Sequence, residues 1–201
     1  MAVDSSKVLT GAPDQLTTGA IWVGPKMVPY KEPQDPFSSS LPAGFADSGY
    51  VSEDGLKLTT DRSTADIKDW NGDIVRKILE EFSGTLVYSH LEFSEFALKE
   101  SYGDENVSML KAAAKSSGKQ TKVKINAADL PIKARWFRMK DGDARVVILA
   151  PNSQVTEVGE VSFVKSEAIK IENTISCYPD DQGNLLYIFL DDGIYAAGAD
   201  S

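Results

Sequence analysis

The feature that most narrows the fold is a series of tight-turn pairs set between runs of β-branched and aromatic residues. Asp54-Gly55, Asn71-Gly72, Asp141-Gly142, Asp181 to Asn184 and Asp192-Gly193 punctuate the chain after Phe45. Asn, Asp and Gly tolerate the positive φ that two-residue hairpin turns demand, so such pairs mark antiparallel strands. The clearest hairpin joins Ala134 to Lys140 with Asp143 to Ala150 through Asp141-Gly142. In Ser166 to Cys177, residues Ile169, Ile171, Ile175 and Cys177 alternate with Lys170, Glu172, Thr174 and Ser176. That is the period of a strand with one wet face. Leu185 to Leu190 is apolar on both faces, the pattern of a central strand. Together these signals predict an all-β sandwich or barrel with few helices.

Two segments depart from this period. Asp73 to Phe82 places Ile74, Ile78 and Phe82 at helical spacing, with Asp73 as an N-cap and Gly84 as a stop. Taken alone, the pattern predicts a helix; as a strand it carries Arg76 and Glu80 on one face and Lys77 and Glu81 on the other. Ser94 to Tyr102 predicts one short helix, with a serine ahead and Gly103 behind. The lysines at 111, 115, 119, 122 and 124 surround Ser116-Ser117-Gly118 and predict an outward loop flanking a strand. Aromatic residues do not interleave them, so the stacking that single-stranded nucleic acid needs is missing.

Catalytic constellations are thin. His90 is the only histidine and Cys177 the only cysteine, so no multi-histidine metal centre and no intramolecular disulfide can form within one chain. His90 lies in Thr85 to Phe93, an expected strand, with Glu92 on the same face, and reads as structural. Walker, GxGxxG and GxSxG motifs do not occur. Asp180, Asp181 and Asn184 suggest calcium, but the rest of an EF-hand loop is missing and a turn is expected. The catalytic, cofactor and metal expectations are therefore none. A formal charge of −9 and a pI of about 4.7 exclude binding to phosphates through a basic face. An acidic wall instead repels DNA. The first residues lack the apolar stretch of a signal peptide, and no run approaches a membrane span.

Residues 1–16 read as an N-terminal arm and 17–201 as a single domain, with Thr17 to Val23 its first β-like run. Within it, 25–44 holds five prolines and the Ser38-Ser39-Ser40 triplet, yet also Met27, Val28, Tyr30, Phe37 and Leu41, with Phe45 following. A tether does not need such apolar groups. An extended arm docking on a neighbouring subunit uses both the prolines and the anchors Tyr30, Phe37 and Phe45.

The order of motifs adds to this. Trp22-Val23-Gly24 and the proline-rich stretch precede Gly44-Phe45-Ala46-Asp47-Ser48-Gly49-Tyr50-Val51-Ser52-Glu53-Asp54-Gly55-Leu56. Then comes Thr64-Ala65-Asp66-Ile67-Lys68-Asp69-Trp70-Asn71-Gly72-Asp73-Ile74-Val75-Arg76. The chain resembles the major tail (tail tube) proteins of long non-contractile phages, especially those of actinobacterial hosts, most closely over 17–103. The resemblance implies a mainly β fold of two packed antiparallel sheets, a β-sandwich or partly closed barrel, flanked by one short α-helix.

It further implies hexameric rings that stack into a tube in the virion tail, assembled in the host cytoplasm around a tape measure protein. Tail terminator and tail-tip or baseplate proteins would be partners, and DNA would pass through the lumen without specific binding. Asp73 to Phe82 then becomes a strand with one face toward the lumen, where Glu80 and Glu81 are the candidates. A tail terminator, a capsid decoration protein and a carbohydrate-binding sandwich using Trp70 or Trp136 are the alternatives. No enzyme is expected.

Overall fold

The computed structural model describes residues 9–14, 19–110 and 118–194. Its strands are β1 (Ile21–Pro25), β2 (Ala46–Asp47), β3 (Lys57–Lys68), β4 (Ile74–His90), β5 (Val107–Leu110), β6 (Gln120–Val123), β7 (Lys133–Asp141), β8 (Ala144–Val158), β9 (Ile171–Cys177) and β10 (Tyr187–Asp191). One α-helix, α1 (Glu95–Tyr102), follows β4. An eight-stranded antiparallel sheet runs β2-β1-β7-β8-β9-β4-β3, with β10 also on β8, and β5–β6 form a separate hairpin.

The long strand β8 makes a sandwich out of this one ladder. Its first half, Arg145 to Leu149, pairs with β10, and its second half, Ser153 to Val158, pairs with β9. One half of the fold is therefore β2-β1-β7-β8-β10 and the other is β8-β9-β4-β3. Ile21, Val23, Phe137, Ile148 and Ala150 from the first half share a buried cluster with Leu86, Tyr88, Val155, Ile175 and Cys177 from the second. The apolar faces have closed on each other, as strands with one apolar face must. Among the described residues no strand pairs with the outer sides of β2 and β3, which leaves the barrel open.

Two of the five turn pairs, Asn71-Gly72 and Asp141-Gly142, join paired strands; Asp54-Gly55 and Asp181 to Asn184 turn between strands that do not pair with each other, and no described strand follows Asp192-Gly193. β7 and β8 meet at Asp141↔Ala144, and β3 and β4 turn at Asn71-Gly72, where Gly72 has φ 91° and Asp69 accepts from the amides of Asn71 and Asp73. β9 alternates as read from 171 to 177, with Asn173 also buried, although 166–170 lies outside the strand. Ser94 caps α1 by accepting from the Ala97 amide, and the Gly103 amide donates to the Lys99 carbonyl.

Ile74 to Phe82 is the strand that the resemblance implied and not the helix that its spacing alone predicts, because twelve residues of β3 pair with β4 and the 3.6-residue spacing of Ile74, Ile78 and Phe82 is coincidental. Three readings change. Among the described residues β10 is an edge strand, not a central one. Its apolar Tyr187 and Phe189 pack under the segment that follows β1 rather than beneath a further strand. The ends of the lysine-rich stretch form the β5–β6 hairpin, while Lys111, Lys115, Ser116 and Ser117 lie outside the described residues. β1 begins at Ile21, later than Thr17.

The proline-rich segment lies across the outer face of the first half. Met27, Tyr30, Phe37 and Phe45 pack against Trp22, Trp136, Val147 and Leu149. The Met27 amide donates to the Pro151 carbonyl at 2.8 Å, and Arg145 donates to the Phe37 carbonyl at 3.2 Å. Gly24 permits this closure: a Cβ there would stand 2.6 Å from the Phe45 ring. Of the N-terminal arm, 9–14 runs beside β7, with Pro13 bridged to Met139 and Asp14 paired with Arg138 at 3.1 Å.

Candidate assembly surfaces

Two surfaces and one buried cluster hold the polar chemistry of this fold. The cluster sits between α1 and the sandwich. Glu100 accepts from Arg135 Nε at 2.9 Å and from the Tyr88 hydroxyl, and its other oxygen lies 3.0 Å from His90 Nε2. Arg135 also donates to the Ser153 carbonyl and hydroxyl. Burial pushes the Glu100 carboxyl upward, yet the hydrogen bond from His90 and the charge of Arg135 hold it down to about 2. His90 is structural, but its partner is Glu100 and not Glu92, whose carboxylate accepts from the Tyr50 amide instead. The Glu100 oxygens, the Tyr88 hydroxyl and Arg135 Nε and Nη1 are committed to partners inside the core, and His90 Nδ1 is buried without one, so the cluster clamps the helix and faces the core rather than solvent.

The first surface is the outer face of the half built from β8, β9, β4 and β3. Register places Lys57, Thr59, Asp61 and Ser63 of β3 beside Glu81, Ser83, Thr85 and Val87 of β4. Glu172, Thr174 and Ser176 of β9 continue that face, followed by Gln154 and Glu157 of β8. Thr156 and Ser176 hydroxyls are 3.0 Å apart. Hydroxyls and carboxylates thus cover the face of a sheet whose opposite side is core. Glu81 belongs to it; Glu80 falls in a β-bulge between Ser63 and Thr64 of the partner strand, so alternation no longer assigns it. Asp61, Glu157 and Glu172 share this face and were missed, because only strand pairing brings such distant positions together.

The second surface is the far part of the β3–β4 hairpin. β9 pairs with β4 only from Gly84 to His90, so Ile74 to Ser83 has β3 as its sole strand partner among the described residues. This two-stranded ribbon projects roughly 30 Å at about 3.3 Å per residue. Ile74, Val75, Ile78, Leu79 and Phe82 are all exposed on it, and Trp70 at its turn is fully exposed. A lone two-stranded ribbon is marginal in water, and one carrying this much apolar surface calls for cover.

Tyr30, Phe37 and Phe45, the arm candidates, are half-buried on their own chain, and Tyr30 stacks on Tyr187 at 4.0 Å and 8°. Trp136 is buried against Trp22 and Phe45, which removes it as a platform for sugar rings. Asp180 Oδ1 accepts from the Gln182 and Asn184 amides and Oδ2 from the Tyr187 hydroxyl, so this carboxylate builds the expected turn. Among the described residues, no three His, Cys, Asp or Glu side chains cluster as metal ligands, and no helix is long and apolar enough to cross a membrane.

An open-edged β-sandwich with a hydroxyl-and-carboxylate face and an unsupported apolar ribbon belongs to the structural β-proteins. The family model for phage tail tube proteins matches residues 1–199, and the chain belongs to that family. It is a structural protein of the virion tail that self-assembles with other tail components into a tube. Among solved structures, the chain is similar to the anti-feeding prophage cap, a tube-terminating cap, at 14% identity and a TM-score of 0.47, covering 95% of this chain and 100% of that one. No curated protein matches the chain.

Proposed function

We propose that this chain is the repeating subunit of a hollow tail tube and performs no covalent chemistry. Six copies close into a ring through the open edges of the four-stranded half, β3 of one copy meeting β8 of the next. Rings then stack on a tape measure protein in the host cytoplasm, between tail-tip or baseplate proteins and a tail terminator. Free strand edges that invite aggregation in a monomer become the ring contact, and a heterologous contact that returns on itself closes a cycle.

The observation that carries this reading is the polar face with Asp61, Glu81, Glu157 and Glu172 on the sheet that has open edges. Turned to the lumen, that face repels DNA phosphates within about 8 Å at physiological salt, so the genome slides without adhering. Glu81 takes part in this repulsion from that face, and Glu80, on the bulge beside it, is the second candidate. Tyr30, Phe37 and Phe45 fasten the 25–44 strap, and on stacking its outer side meets the next ring, joined by the arm at 1–16.

Negative-stain microscopy of purified protein tests the reading: rings or hollow tubes are the expected result, and a strictly monomeric species at high concentration overturns it. Replacing Glu80 and Glu81 by lysine should leave tubes intact and impair genome ejection. Normal infectivity would remove both from the lumen.

A further inference from the structure

The geometry points to a sandwich that is completed between copies: the core-side face of the β3–β4 ribbon in one chain packs on the exposed core-side residues of β10 in the next. This rests on the tube reading and adds which faces meet.

Strand register identifies both faces. Leu58 pairs with Leu86, a fully buried core residue, so this side of β3–β4 is the core side. Following the pairing outward, Arg62 lies opposite Phe82, Thr64 opposite Leu79, Asp66 opposite Lys77 and Lys68 opposite Ile74. The Arg62 guanidinium over the Phe82 ring at 4.9 Å and the Lys77–Asp66 pair at 2.7 Å agree with that assignment. Phe82, Leu79 and Ile74 are 44%, 47% and 53% exposed, although they continue the line of the buried Leu86.

The other half has a matching overhang. Ile188 pairs with Ile148, a core residue, and Leu190 pairs with Val146, so Ile188 and Leu190 also point to the core side. They are 50% and 68% exposed. Each half of the sandwich therefore extends apolar core-side surface beyond what its own partner half covers.

Charge selects a second copy as the occupant. The core-side face of the ribbon carries Arg62, Lys68 and Lys77 against Asp66, with Asp69 and Asp73 in the turn at its tip. The end of the β7–β8 hairpin and of β10 carries Asp141, Asp143 and Asp192. Basic groups flanking one apolar strip meet acidic groups flanking the other, while two β10 faces would repel. The surfaces differ, so the contact runs head to tail and propagates around a ring. It also leaves the hydroxyl-and-carboxylate face pointing away from the contact.

The test mixes Leu79→Cys protein with Leu190→Cys protein, and Phe82→Cys with Ile188→Cys, before polymerisation and mild oxidation. Native Cys177 is buried and does not compete. The expected result is a reducible heterodimer from tubes of each mixture, absent from either variant alone. Tubes without heterodimer in both mixtures overturn this pairing while leaving the tube reading standing. A disulfide formed within single chains of a Leu79→Cys/Leu190→Cys variant also overturns it, since the ribbon would then close on its own β10. In wild-type tubes, which need no substitution, zero-length carbodiimide coupling should join Lys68 or Lys77 to Asp141, Asp143 or Asp192 of another chain. Tubes lacking any such link count against the proposal, and wild-type protein that never polymerises ends the tube reading as well.

Discussion

Glu100 of α1 and Arg135 of β7 meet inside the protein, Oε1 to Nε at 2.9 Å, with each side chain 1% exposed. The pair ties the helix to the sandwich at a point where no water can substitute for either partner. Glu100→Ala leaves the guanidinium buried without its counter-charge, a loss of about 3–5 kcal/mol by comparison with other broken buried pairs. Urea unfolding followed by tryptophan fluorescence should show a correspondingly lower midpoint. An unchanged midpoint would mean the clamp is not intact in solution.

The same carboxylate gives a pH dependence with a definite sign. Glu100 is held at about 2 in the fold against an ordinary value of 4.5, with burial opposed by the stronger pull of His90, Arg135 and Tyr88. A depressed carboxyl contributes stability that is complete above the unfolded value and lost as pH falls toward the folded one. The difference in unfolding free energy between wild type and Glu100→Gln should therefore shrink between about pH 4.5 and 2. A difference that stays constant through this window would refute the assignment.

Tyr30 stacks on Tyr187 and fastens the proline-rich strap over Trp136. Tyr30→Ala removes an aromatic pair and part of a half-buried surface, and should cost about 1–3 kcal/mol. Limited proteolysis within 25–44 should accelerate while far-UV circular dichroism keeps its β-sheet shape. Loss of the sheet signal would place the strap among the elements the core cannot do without.

Trp70 makes the opposite case. It is fully exposed at the tip of the ribbon, so Trp70→Ala should change monomer stability by no more than about 0.5 kcal/mol. Polymer yield, measured by sedimentation, should nonetheless fall. Equal yields would show that the tip lies outside every subunit contact.

Much of the strand layout was legible because turn chemistry is local. Asn71-Gly72 and Asp141-Gly142 announce their hairpins by the backbone angles they permit, and Ser94 with Gly103 brackets α1 by satisfying its end groups. Local signals failed where distant contact decides. Ile74, Ile78 and Phe82 sit at helical spacing, yet hydrogen bonds to β3 made them a strand. Leu185 to Leu190 is apolar enough for a central position, but it is the strap's Tyr30 that occupies its outer face. Glu80 and Glu81 stand as a pair in the sequence, and the bulge that takes Glu80 out of the strand register cannot be read from two adjacent glutamates.

The sequence by itself determined where the chain turns, that its strands are antiparallel, and that its surface is acidic, since these follow from residue type and near-neighbour spacing. Only the tertiary structure decided that β8 serves both halves and that Asp61, Glu81, Glu157 and Glu172 share one face. It also decided that core-side apolar residues run on past their cover. Those outcomes depend on which strands pair and in what register, a long-range choice made by burying apolar faces together, and no short window of residues records it.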